Sequence, residues 1–340
     1  MRRRRADWWR RAGRWPSRST DPPAPPARAP RRCYRASPSF RDSTVAHRSP
    51  RIGLALGSGS ARGWAHIGVI RALERAGVAA DIVCGTSVGA LVGAAHAAGA
   101  LERLEPWVKG LTWQTVMSLI DVRMSGGLIE GGKLVDFFRA RFADEGMERL
   151  QRAFGCVATD LASGREVWLR EGSVIDAVRA SIALPGLLTP VLQDGRLLVD
   201  GGLVNPVPVS LCRAMGAEVV IAVDLNWDLI GRRKQIPDAA PTSVSGPGAG
   251  LIDAMLARFR TVGPLGSSAM PSMIDVLTTS LNIMQVRITQ SRLAGEPADV
   301  MIRPRLSGIA AMDYHRGGAA IAEGERAATQ VLPMIQDLIA

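Results

Sequence analysis

The pentapeptide Gly85-Thr86-Ser87-Val88-Gly89 has the form G-x-S-x-G. It stands between an apolar run, Asp81 to Cys84, and a stretch of small residues from Ala90 to Ala98. A serine on a sharp strand-to-helix turn is pushed clear of the sheet, and flanking glycines permit the tight turn and close helix packing. The helix N-terminus behind it favours developing negative charge. Such a serine is suited to nucleophilic attack on an acyl carbon. Taken alone the pentapeptide also fits a small-residue helix cap, so its companions decide.

One strand-helix unit earlier, Ile52 to Leu56 is a short apolar run that ends in Gly57-Ser58-Gly59-Ser60-Ala61-Arg62-Gly63. Successive backbone N–H groups in such a loop form a nest for an anion. In acyl transfer that anion is the tetrahedral oxyanion, and one well-placed donor is worth about 3 kcal/mol. The same glycines, Gly57, Gly59 and Gly63, also make a variant of a dinucleotide fingerprint. That reading wants an acid at the far end of the second strand. Asp81 stands at the beginning of that strand, which disfavours a nucleotide cofactor. Further along, Asp200-Gly201-Gly202 follows an apolar strand, placing a carboxylate at a strand's carboxyl end. A lone Asp-Gly is usually a turn; beside Ser87 it becomes a candidate base.

The elements that must position these residues alternate strand and helix. Residues 52–56, a helix from Trp64 to Ala76, 81–84 and the helix from Ala90 predict parallel, doubly wound packing. Residues 104–142 read as mostly helical. Residues 152–160 and 166–169 read as a hairpin around Ser163-Gly164, and Asp194-Gly195 marks a second hairpin before Asp200. Ser173 to Ile182 is a helix stopped by Pro185, Val207 to Met215 is a helix begun by proline, and Val219 to Val223 is a buried strand. Residues 230–249 read as a mobile polar loop. Residues 251–259 and 274–293 read as amphipathic helices, the former a lid or interfacial helix, with a last strand at 300–304 and a closing helix from 319.

Four blocks now stand in order: Leu56 to Ile70, Gly85 to Gly89, Ala180-Ser-Ile-Ala-Leu-Pro-Gly186, and Asp200 to Gly202. Together they resemble patatin-like phospholipases, especially bacterial proteins similar to the esterase domain of neuropathy target esterase. The resemblance spans roughly 51–325. It implies a three-layer α/β fold with a mostly parallel central sheet flanked by helices. It also implies a carboxylic ester hydrolase acting on phospholipid, lysophospholipid or related lipid without metal or cofactor. Carried over, it makes Ser87 the nucleophile and Asp200 the base of a dyad without histidine. The backbone around Ser58, Gly59 and Ser60 would hold the oxyanion, and Arg62 would steady the loop or meet phosphate. Family members usually carry three or four consecutive glycines where this chain has Gly-Ser-Gly-Ser, so substrate fit is expected to differ.

The order Ser87, Asp200, His315 is also that of an α/β-hydrolase triad, and this is the alternative reading for an esterase. His66 starts the first helix as a packed or capping residue. His96 lies nine residues past Ser87, roughly 13 Å along a helix, and so out of reach. An aspartate base has its own difficulty, since at its ordinary pKa of about 4 it is a weak base for a hydroxyl. A partly dry site would raise that value, and turnover should fall in acid as Asp200 is protonated. Leu184, Leu187, Leu188, Val191, Met255, Met273 and Met284 are either acyl-channel lining or plain core, the latter being commoner.

The 340 residues carry a net charge of +11, and all of it sits at one end. Residues 1–50 hold fourteen arginines against three acids, so residues 51–340 sum to zero. The division expected is therefore a disordered basic Arg/Pro-rich tail, 1–50, and a hydrolase domain, 51–340. Three readings fit the tail. It is a non-functional extension, an anchor to anionic lipid through Trp8, Trp9 and Trp15, or a nucleic-acid contact. The last ranks lowest, because no folded platform accompanies the charge. No apolar segment follows the arginines, so the tail does not read as a secretory signal. Cys33, Cys84, Cys156 and Cys212 form no metal or disulfide pattern and fit a reducing compartment. The expectation is a cytoplasmic protein with peripheral contact at the inner membrane, a lipid substrate, no specific nucleic acid and an oligomeric state left open. Two other function classes remain: a nucleotide- or phosphate-binding protein using the Gly57–Gly63 loop, and a non-catalytic membrane-associated scaffold in which the tail acts, against which intact Ser87 and Asp200 argue.

Overall fold

The computed structural model describes residues 49–118, 146–230 and 273–340, with residues 136 and 139 between them. The sequence-predicted tail up to residue 48, the helical stretch from 119 to 135, the loop 231–249 and the helix 251–259 lie outside the described residues. The described residues belong to one compact unit.

The order of elements is β1 (Ile52–Leu56), a 3-10 turn (Ser60–Trp64), α1 (Ala65–Arg75), β2 (Ile82–Thr86), α2 (Val88–Ala97), α3 (Leu101–Lys109) and α4 (Trp113–Ser118). Then come β3 (Ala153–Asp160), β4 (Glu166–Leu169), α5 (Val174–Ser181), β5 (Val191–Gln193), β6 (Arg196–Asp200), α6 (Val209–Ala214) and β7 (Val219–Val223). α7 (Met273–Gly295), β8 (Val300–Ile302) and α8 (Gly317–Ile339) complete the described chain. Three starts follow from local chemistry. The Ser173 hydroxyl accepts the Asp176 N–H and caps α5. Pro208 sits just before α6, one position earlier than a first-turn proline. The 3-10 turn tightens the predicted first helix before it becomes α-helical at Ala65.

One sheet holds all eight strands, with β1 at its centre between β2 and β7. β1 and β7 are buried on both faces along their length, which is why they read as unbroken apolar runs. Alternation then divides the core. Ile52, Leu54 and Leu56 of β1, with Ile221 and Val223 of β7, meet α1, α2 and α8. Ala55, Val220 and Ala222 point the other way, toward Val209, Leu211 and Cys212 of α6. The result is a three-layer α/β fold. Its sheet is mostly parallel, through β1–β2, β1–β7, β2–β3 and β7–β8.

The sheet is mostly parallel as expected, and two of its three antiparallel pairs are the predicted hairpins. β3 pairs β4 and β6 antiparallel, and β5 pairs β6 antiparallel. The physical reason is the connections. Turns at Ser163-Gly164 and Asp194-Gly195 are too short for a crossover and can join only antiparallel strands.

Candidate active site

β3 acts as a splint for the site. Its Val157 pairs with Thr86 at the end of β2 and, across the opposite edge, with Trp168 of β4. Its Ala158 pairs with Val167 of β4 and with Asp200 at the end of β6. Because β4 takes one edge throughout, β2 and β6 must follow one another along the other. Running in opposite directions, their carboxyl ends meet between Val157 and Ala158. The hairpin that breaks the parallel pattern is thus what brings Asp200 to Ser87.

Ser87 turns the chain from β2 into α2 with φ 57° and ψ −129°, a conformation rarely adopted by a residue with a side chain. Its Oγ donates to Asp200 Oδ2 at 2.6 Å, and the Gly202 N–H donates to Asp200 Oδ1 at 2.7 Å. The carboxylate is buried, at 1% exposure. Burial pushes its pKa up to about 6, partly offset by the bonds from Ser87 and Gly202. A hydroxyl bonded directly to a buried, basic carboxylate is arranged for proton transfer. Both elbow glycines are steric necessities: a Cβ on Gly85 would fall 2.4 Å from Ala90 Cα, and one on Gly89 2.2 Å from the Leu56 carbonyl oxygen.

Sequence reasoning missed the groups that hold this pair. The Ser181 hydroxyl accepts the Ser87 N–H at 2.9 Å and donates to the Val157 C=O at 2.7 Å, tying the elbow to β3. Two residues on, the Ala183 C=O accepts the Asp200 N–H at 2.9 Å. The Ala180–Gly186 block therefore fastens both reacting residues, and its place among the four blocks was the one signal for it. Thr159 Oγ1 donates to the Asp200 C=O, and Thr86 Oγ1 to the Asn205 C=O, completing the frame. Ser181→Ala would leave a buried N–H and a buried C=O unpaired, at about 1–3 kcal/mol each. The expected results are a lower urea midpoint and a kcat reduced on the order of 10²-fold, since small misplacements of reacting groups cost that much.

The glycine loop of residues 57–63 follows β1 and lies against the start of α2, with the Gly57 C=O close to Gly89. Among its amides, Gly57 N–H donates to the Val223 C=O, Ser58 N–H to Pro206, Ala61 N–H to Ala311 and Arg62 N–H to Gly59. Among the described residues, the Gly59 and Ser60 amides have no such partner. The Ser58 N–H, expected to face an anion with those of Gly59 and Ser60, is bonded to the Pro206 carbonyl in this structure. The Ser58 side chain donates to Gln285 Oε1 at 3.2 Å, and Asn226 Nδ2 donates to the same oxygen at 3.1 Å. Gln285 lies 227 residues from Ser58 in the chain, so no local pattern could have found it.

Arg62 is 3% exposed, and burial lowers its pKa to about 10 against the opposing effect of Asp228. Its contact with Asn282 of α7 fits loop support rather than an open phosphate site. Gly63 packs on Val88, joining the loop to the start of α2.

The histidines separate cleanly. His66 is fully buried and its pKa is lowered to about 4 by burial, so the neutral ring donates from Nε2 to the Gly57 C=O at 2.7 Å. It anchors the glycine loop. His96 is buried at the other end of α2, near Glu74. His315 is exposed and lies edge-on to Trp113, centroids 6.0 Å apart. Among the described residues the Asp200 side-chain oxygens accept from Ser87 and Gly202, and His315 makes no hydrogen bond to them. The dinucleotide reading fares no better. Asp81 accepts the Ile52 N–H at 2.7 Å, fastening the amino ends of β1 and β2, opposite the loop.

Of the apolar candidates, Leu188 is core and Leu187 and Val191 pack against it. Met284 is 48% exposed and is not core. The Met273 side chain and Met255 lie outside what is described. Among the described residues no three His, Cys, Asp or Glu side chains group as a metal site, and no helix is long and apolar enough to cross a membrane.

Known proteins are similar to this chain over the region that holds this arrangement. The family model described as Patatin-like phospholipase matches residues 54–213, which include Ser87 and Asp200. An NTE family protein of Mycobacterium tuberculosis (strain ATCC 25618 / H37Rv) is 34% identical over 333 residues, covering 84% of this chain and 92% of that protein. The chain belongs to the patatin-like phospholipase family. A second similar relative, human patatin-like phospholipase domain-containing protein 6, is 37% identical over 183 residues, which cover 52% of this chain but 13% of that protein. Among solved structures, VipD from Legionella pneumophila aligns with TM-score 0.44 and 13% identity, over 84% of this chain and 67% of that one. Membership in the patatin-like phospholipase family supports a lipid hydrolase activity.

Proposed function

We propose that the chain hydrolyses acyl esters of phospholipids, lysophospholipids or related lipids through a Ser87–Asp200 dyad. One observation carries this reading: Ser87 Oγ lies 2.6 Å from Oδ2 of the buried Asp200. In the first half-reaction the Ser87 proton passes to Asp200 as Oγ bonds to the acyl carbon. The carbonyl electron pair moves onto oxygen, which Gly59 and Ser60 N–H stabilise. Collapse breaks the bond to the alcohol, which leaves with the proton from Asp200. Water then repeats the sequence on the acyl-serine and releases the fatty acid.

The base must be ionised, and its pKa is raised to about 6. The expected pH profile of kcat/KM is flat above about pH 7 and falls tenfold per unit below about pH 6. Fatty-acid release from lysophosphatidylcholine, followed across that range, tests this. A profile that stays flat down to about pH 4.5 counts against Asp200 as the base. Release from an ester of this class at no pH counts against the substrate.

A further inference from the structure

α7 buries polar side chains and leaves apolar ones outside. Gln285 and Thr289 are buried, while Leu277, Ile283 and Met284 are exposed. Burying a polar group costs free energy unless it is bonded, so the partners on the inner face matter. Asn282 Oδ1 accepts from Arg62 of the glycine loop at 3.4 Å, and Arg292 Nε donates to the Val204 C=O, just past Gly202, at 2.6 Å. Gln285, between them on the helix, touches both places. Its Oε1 accepts from Ser58 Oγ at 3.2 Å and from Asn226 Nδ2 at 3.1 Å, and Asn226 Nδ2 also donates to the Ser58 C=O at 3.3 Å. Gln285 Nε2 lies against Gly202: a Cβ on that glycine would fall 2.6 Å from Nε2 and 2.9 Å from Asp200 Oδ1. Gly202 is the middle residue of the 3-10 turn Gly201–Leu203, which the Asp200 side chain caps by accepting the Gly202 N–H.

We propose that Gln285 is a positioning residue that seats Gly202, keeping its N–H on Asp200 Oδ1, and that takes Ser58 as its own anchor. The inference rests on the Ser87–Asp200 reading. It also gives a role to Ser58, one of the two serines that stand where the family usually has glycine. An N–H bonded to a carboxylate favours the ionised form. Burial has pushed Asp200 up to about 6 with the Gly202 bond pulling the other way, so loosening Gly202 raises the pH at which the base ionises. Tyr314, which feels the charge of Asp200, is pushed up to about 12 and stays protonated; Arg62, lowered to about 10, stays charged. The side chains of Ser58 and Asn226, on Gln285 itself, do not titrate. The acid limb of the rate therefore reports Asp200.

The test uses the full chain and a soluble acyl ester. Gln285→Met, close in shape but without the amide, should lower the plateau kcat on the order of tenfold, with KM changed less than about twofold. Its acid limb should move up by about half a pH unit or more. Ser58→Gly should move both in the same direction by less, because Asn226 still holds the amide, and adding it to Gln285→Met should change nothing further. Val286→Ala is the structural control: it truncates the next buried side chain of α7 without removing a polar contact. It should lower the urea midpoint and leave kcat and the acid limb in place. A parental kcat and acid limb in Gln285→Met overturn the proposal. So does an equal shift of the limb in Val286→Ala, since packing alone would then explain it. If Gln285→Met does not fold, Ser58→Gly decides: a raised limb upholds the proposal and a parental one overturns it. Ser87→Ala run alongside separates the two levels. If it retains turnover, the dyad reading falls and takes the role of Gln285 with it; if it is dead while Gln285→Met runs normally, the role of Gln285 alone falls.

Discussion

Asp200→Asn is expected to reduce kcat on the order of 10⁴-fold while the protein stays folded. The amide is nearly the same shape, and its Oδ1 can still accept the Gly202 N–H that now reaches Asp200 at 2.7 Å. What it lacks is a basic oxygen to take the Ser87 proton, and losing the base of a nucleophilic serine costs about that factor. The stability change should run the other way. A carboxylate whose folded pKa is raised binds more protons folded than unfolded, so its ionisation destabilises the fold as pH rises from about 4 to about 6. A rise of that size corresponds to roughly 3 kcal/mol. Asn removes that cost, so Asp200→Asn should melt higher than the parent at about pH 8 and gain little at about pH 4. Thermal melts at the two pH values, beside ester turnover, check both halves. A variant that is inactive because it is unfolded at about pH 8 would contradict this account of the carboxylate.

The second large effect is on the fold itself. Gly89→Ala is expected to abolish soluble folded protein, or to destabilise it by at least about 3 kcal/mol. Its Cβ would sit 2.2 Å from the Leu56 carbonyl oxygen and 2.6 Å from that of Gly57. Neither oxygen can retreat. Leu56 is held in the centre of the sheet, and Gly57 is fixed through its N–H to Val223 and its C=O to His66. Gly318→Ala is the contrasting control. It lies in α8 with nothing within 4 Å of the added methyl, and alanine is the better helix former by roughly 1 kcal/mol. Urea unfolding of the two variants should therefore move in opposite directions. Equal midpoints would mean that α2 is not packed on β1 as described.

These two residues also show what the sequence could reveal. Gly89 and Ser87 were legible because the elbow is local: an apolar strand, a glycine-flanked serine and a small-residue helix are contiguous, and each has a steric reason. Asp200 was legible as a carboxylate after an apolar strand. That it touches Ser87 was not, because the contact depends on β6 running antiparallel along the part of β3's shared edge beyond the end of β2. Only the pairing of distant strands settles that. The glycine loop was visible as a nest, but its donors were not, since the Pro206 carbonyl that takes the Ser58 N–H is contributed from 148 residues away. Ser181 lay inside one of the four blocks yet carried no sign of its bridge. Gln285 and Asn226 reach the loop from later elements and belong to no local pattern. His315 illustrates the converse: the chain order suited a triad, and the fold leaves it exposed on Trp113.

The central claim is that Ser87 is a nucleophile made reactive by Asp200. It is tested most directly by reacting the full chain with a fluorophosphonate probe and mapping the adduct by mass spectrometry. One adduct is expected, on Ser87, formed rapidly by the parent protein, slowly by Asp200→Asn, at the parental rate by His315→Ala and not at all by Ser87→Ala. An adduct on another serine, or equal labelling of the parent and Asp200→Asn at about pH 8, would contradict it.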